Sequence, residues 1–107
     1  MENGINRIEL LYFEDCPSWK IALKNLEEIN RDRNITDEIY LISVETNEEA
    51  VRHEFTGSPT IKVNGKDIFP TNHKNYALGC RIYNTPEGFK GYPTKEMISK
   101  KMSKLIG

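Results

Sequence analysis

Only two cysteines, Cys16 and Cys80, stand in this chain of 107 residues. They are too few for a disulfide scaffold, and a reducing compartment would not keep a structural bridge, so both are expected as free thiols. No apolar run approaches the roughly 18 residues of a membrane span, and residues 1–7 lack the basic region and apolar stretch of a secretory leader. The expectation is a cytoplasmic protein with no membrane partner. Neither sign of charge dominates, because 15 basic residues face 16 acidic ones for a net charge of −1. That balance gives no electrostatic case for nucleic acid. Repeats, linkers and low-complexity tracts are missing too. What is present, 37% hydrophobic and 9% aromatic residues, suits one globular domain over 1–107 with one core.

The stretch that organises the rest begins with Ile8, Leu10, Leu11, Tyr12 and Phe13, a nearly continuous apolar run expected of a strand covered on both faces. It stops at Glu14 and Asp15. Cys16 follows, immediately before Pro17 and a helical pattern in which Trp19, Ala22, Leu23, Leu26 and Ile29 recur at three- and four-residue steps. With Pro17 at the first helical position, where its missing N–H costs nothing, Cys16 falls at the N-cap. Unpartnered N–H groups and the positive end of the helix dipole favour thiolate there. A sulfur so placed and open to solvent is a reactive one. Glu14 and Asp15 oppose the shift, and Asp15 is a candidate for proton transfer beside the thiol.

Residues 38–46 carry Ile39, Leu41, Ile42 and Val44 as a second strand, so strand, helix and strand form a βαβ unit with parallel strands. Thr46 and Glu49 have capping-box spacing, opening a short helix through Phe55 with Gly57 as its stop. His53 is expected on that helix's exposed side. Residues 60–63 and 66–69 read as a hairpin about Asn64-Gly65. The 24 residues from Pro70 to Pro93 break the pattern, and partial order is expected there. Within them residues 80–83 resemble a short strand and 84–88 a turn, with Tyr76, Leu78, Ile82 or Tyr83 as anchors. Thr94 caps a last helix with Met97, Ile98, Met102 and Leu105 inside and Lys95, Lys100, Lys101 and Lys104 outside. His73 is a candidate base for Cys16, or a third ligand with both cysteines. A closed zinc site wants four ligands, so no metal site is assigned.

The first strand, Cys16-Pro17-Ser18-Trp19 at a helix start, and Gly57-Ser58-Pro59-Thr60 before a later strand resemble the thioredoxin superfamily over about residues 6–69 and 93–106. The resemblance implies a thioredoxin-like three-layer α/β/α fold with a mixed four-stranded sheet, built from the βαβ unit plus a C-terminal hairpin and helix, and an insertion over about 70–93. It also implies that Cys16 is the nucleophile that attacks disulfides and that Pro59 is cis beside it. Pro17, Trp19, Ser58 and Pro59 would then bind substrate, Ser58 offering its backbone to an extended peptide. Trp19 stands where the family has its second cysteine, although it also belongs to the helix's buried stripe. A mixed disulfide on Cys16 must therefore be resolved by Cys80, if the insertion folds back over the helix, or by an external thiol. For Cys80 the plainer reading is an inert, buried cysteine in a short strand. The expected function is thiol–disulfide exchange with no cofactor, on a disulfide-containing protein or a small thiol. Two other readings stay open: a soft-metal or organomercurial thiol site, and a non-catalytic binding module that kept the fold.

Overall fold

The computed structural model describes the backbone of residues 7–35, 38–71 and 75–106, with side chains through 104. Strand β1 (Ile8–Tyr12) is followed by helix α1 (Trp19–Asp32), strand β2 (Ile39–Ser43) and helix α2 (Asn47–Arg52). Strands β3 (Thr60–Val63) and β4 (Lys66–Asp67), a second hairpin β5 (Tyr83–Thr85) and β6 (Gly88–Lys90), and helix α3 (Lys95–Ile106) complete it. One mixed sheet has the order β2-β1-β3-β4. β1 pairs parallel with β2 and antiparallel with β3, and β3 pairs antiparallel with β4. The βαβ unit and the hairpin about Asn64-Gly65 form as the apolar periodicity predicts, although β2 ends at Ser43 rather than at residue 46 and β4 at Asp67 rather than at residue 69.

Alternation along β1 divides the core between the two faces of the sheet. Ile8 and Leu10 pack with Ala22, Leu26 and Ile29 of α1 and with Ile98 and Met102 of α3. Leu11 turns the other way, onto Val44, Ala50 and Phe55. Polar contacts lock α3 onto α1: Lys95 Nζ lies 2.8 Å from Asp32 and 3.4 Å from Glu28, and Asn25 Nδ2 donates to Pro93 O. The ammonium beside Asp32 holds its carboxyl below the usual range.

Caps form where their spacing places them. Thr46 Oγ1 accepts from the Glu49 N–H at 3.1 Å while Glu49 Oε1 accepts from the Glu45 N–H at 2.9 Å. Thr94 Oγ1 accepts from the Met97 N–H. Asn64 and Gly65 both take positive φ, 55° and 84°, the twist that a tight hairpin turn needs.

Other expectations need correction. Helix α2 ends at Arg52 rather than Phe55, because Glu54 turns left-handed with φ 52°; Phe55 is buried all the same. β2 lies at the edge of the sheet, and its Leu41 is 47% exposed. In the insertion the strand starts at Tyr83 rather than Cys80, and the expected turn joins it to β6. Burial alternates there: Arg81, Tyr83 and Thr85 point in, while Ile82 is 71% exposed and anchors nothing. Leu78 does reach the cluster around Phe55. His73 and the side chain of Leu105 lie outside the described residues. No helix among the described residues is long and apolar enough to cross a membrane.

The two faces set a graded sensitivity to truncation. Leu26→Ala, at a fully buried position, is expected to cost about 2–5 kcal/mol, and Leu41→Ala on the edge strand less than about 0.5 kcal/mol. Urea denaturation of the two variants checks this.

Candidate functional site

The site is built where β1 gives way to α1. The Cys16 N–H donates to Phe13 O at 2.9 Å, folding the chain through exposed Glu14 and Asp15. Pro17 O then accepts from the Lys20 N–H, and Ser18 O accepts from the Ile21 and Ala22 N–H groups. Helix α1 accordingly starts at Trp19 with Ser18 as its cap. Cys16 sits two residues before the cap rather than on it, and Pro17 opens the leading turn instead of occupying the first helical position. The Ser18 side chain makes no capping bond, and α1 has no acidic residue in its first turn. No side-chain cap or acidic residue within that turn therefore offsets the positive end of the dipole.

Two larger expectations fail at the sulfur itself. Cys16 is only 4% exposed, and neither cysteine is free. Cys16 and Cys80, 64 positions apart, form a disulfide with a Cα–Cα separation of 5.7 Å. Cys80, far from being a buried strand residue, is exposed. The common reason is that the insertion folds back over the start of α1 and lays Cys80 against Cys16.

A strap formed by Gly79, Cys80 and Arg81 is fixed to the loop before β3. The Ser58 N–H donates to Gly79 O and the Arg81 N–H donates to Ser58 O, each at 2.9 Å, making a parallel bridge between Ser58 and Cys80. The Ser58–Pro59 peptide is cis. The Ser58 backbone, expected to await an extended peptide, is thus already paired with the chain's own segment. Gly57 has φ 133°, and a Cβ there would lie 2.8 Å from Arg81 Cβ. Its glycine serves that close approach, not the end of a helix.

Arg81 holds the strap down. Its guanidinium is almost fully withdrawn from water, and Nη1 lies 2.8 Å from Asp67 Oδ2. Nη1 also donates to Thr56 Oγ1 and Thr60 Oγ1, while Nη2 donates to Phe69 O. The Arg81 group stacks 4.7 Å above the Tyr83 ring, a favourable arrangement in a dry site. Tyr83 Oη in turn donates to Pro59 O at 2.6 Å. Burial pushes the Tyr83 phenol well above the usual tyrosine range.

The remaining candidates fall around this centre. Pro59 and Ser58 are buried, and Pro17 is exposed. Trp19 is half-buried and stacked on Tyr12, with centroids 4.1 Å apart. The indole N–H of Trp19 and the hydroxyl of Ser58 find no hydrogen-bond partner among the described residues. His53 is half-buried at the end of α2 rather than solvated. Among the described residues no three His, Cys, Asp or Glu side chains converge as metal ligands would. Arg81 is the residue that sequence reasoning missed. Its signal was the alternation Arg81-Ile82-Tyr83-Asn84-Thr85, whose inward face is polar.

Because the folded chain holds the Tyr83 proton more tightly than the unfolded one, its contribution to stability is intact below about pH 10 and is lost as pH rises beyond that. In an alkaline absorbance titration, one of the five tyrosines should ionise late or only on unfolding. Tyr83→Phe should remove that late component; its persistence in the variant would contradict the assignment.

Compared with known proteins, the chain matches no family model, no curated protein and no solved structure.

Proposed function

We propose that this chain is a thiol–disulfide oxidoreductase on a thioredoxin-like three-layer α/β/α fold, with Cys16 and Cys80 as its redox couple. One observation carries the reading: the only two cysteines, 64 positions apart, meet in a bridge at the mouth of a helix with one of them at the surface. The helix start favours one thiolate and the exposed partner gives access, the two conditions for exchange. The parallel βαβ unit, the cysteine after β1 and the cis Ser58–Pro59 peptide before β3 support the fold assignment. The partner is a disulfide-containing protein or a small thiol, and no cofactor is needed for the exchange.

A second reading rests on the strap. Its two backbone bonds to Ser58 occupy the edge where a peptide would pair, which suits a non-catalytic module whose bridge staples the insertion. In a chain-entropy picture closing a loop of this length stabilises the fold by about 4 kcal/mol.

The two readings part under mild reduction. The oxidoreductase should exchange its bridge with glutathione while the fold persists, and the dithiol form should reduce a chromogenic aromatic disulfide. Cys16→Ser or Cys80→Ser should abolish turnover with a dithiol donor. A bridge that yields to thiols only when the chain unfolds would leave the staple reading standing.

A further inference from the structure

The bridge is not symmetric. Cys16 is enclosed, at 4% exposure, and Cys80 is exposed. Thiol–disulfide exchange is an in-line displacement: the incoming thiolate approaches the attacked sulfur from the side opposite the sulfur that leaves. Attack on Cys16 would require an approach through its own buried surroundings. Attack on Cys80 requires an approach from its exposed side, with Cys16 as the departing sulfur.

The helix favours the same direction. Exchange is faster when the departing thiol has the lower pKa, and Cys16 is the one just ahead of the start of α1, where the uncapped helix end favours its thiolate and the exposed Glu14 and Asp15 oppose it only in part. Arg81 keeps the other sulfur close. Its buried contacts with Asp67 and Phe69, and its backbone bond to Ser58, involve neither cysteine. They can hold Cys80 over Cys16 after the S–S bond breaks.

We propose that Cys80 is the sulfur that exchanges with the partner and that Cys16 is the resolving thiol, the reverse of the order implied by the resemblance. This rests on the Cys16–Cys80 pair being a redox couple. In the reductive half, a partner thiolate attacks Cys80 Sγ, the Cys16–Cys80 bond breaks, and Cys16 leaves as thiolate. A second partner thiolate attacks the partner sulfur of the mixed disulfide and expels Cys80 as thiolate. The partner dithiol, or two molecules of a small thiol, loses two electrons and becomes a disulfide. The pair gains those electrons, and the protons given up by the partner thiols are available to the two cysteine thiolates through solvent. In the opposite direction the Cys80 thiolate attacks a partner disulfide, and Cys16 thiolate then attacks Cys80 Sγ and expels the second partner thiolate.

The test is to mix the oxidised native chain with reduced glutathione, quench with acid, block free thiols with N-ethylmaleimide and map the peptides. The expected intermediate carries glutathione on Cys80 and maleimide on Cys16. Glutathione on Cys16 with maleimide on Cys80 overturns the proposed order and leaves the redox couple standing. A bridge that stays intact in the folded chain overturns both. Single-cysteine variants decide the case where the native adduct turns over before the quench. Cys80 in Cys16→Ser should react with glutathione disulfide at least about tenfold faster than Cys16 in Cys80→Ser, because the strap still covers the latter. Equal rates, or a faster Cys16, overturn the order.

Discussion

A guanidinium drawn out of water is the constraint on which this end of the molecule depends. A buried guanidinium without partners would be costly. The surroundings of Arg81 are therefore specified: a carboxylate at Asp67, the carbonyl of Phe69, hydroxyls of Thr56 and Thr60, and the face of Tyr83. Those partners come from the loop before β3, from β3 and β4, from the chain just after β4 and from the insertion. Satisfying one side chain thus closes the insertion onto the sheet. Gly57 completes the fit by leaving room for the Arg81 backbone and Cβ.

The cysteine pair follows from that closure. With Arg81 seated and Ser58 paired on both sides of Cys80, the residue between them has one place to go, over the end of β1. There it meets Cys16, which the turn at residues 13–16 has already delivered to the mouth of α1. Two loops remote in sequence thereby share one disulfide bond. Cys16 is buried just ahead of the helix start and Cys80 is exposed, so the two cysteines sit in different surroundings.

The scaffold was legible in the sequence because its signals are local and apolar. The period of Trp19, Ala22, Leu26 and Ile29, the alternation of residues 60–63 and the capping residues Thr46 and Thr94 each act within a few positions, and each element formed accordingly. The cis Ser58–Pro59 peptide formed as expected, whereas Cys16 lies two residues before the helix cap rather than on it. The bridge was not, since a contact across 64 positions leaves no trace in spacing. The insertion was misjudged for a different reason. Its inward face is Arg81, Tyr83 and Thr85, and its most apolar residue, Ile82, points to solvent. An apolar pattern therefore misplaces the strand and counts Ile82 as an anchor beside Leu78 and Tyr83, which do pack inward. Burial of Cys16 was missed with it, because the cover comes from that same segment.

The most direct test of this account is a redox titration of the folded chain in glutathione buffers, read by alkylation and mass, on the native protein and on the Arg81→Met, Asp67→Asn double variant, which leaves no unpaired carboxylate. The account predicts one two-electron transition in which Cys16 and Cys80 change state together, and a bridge at least about tenfold more easily reduced in the double variant, as expected when an anchor that holds two thiols together is removed. A bridge equally stable in both proteins would contradict the claim that Arg81 brings the two sulfurs together.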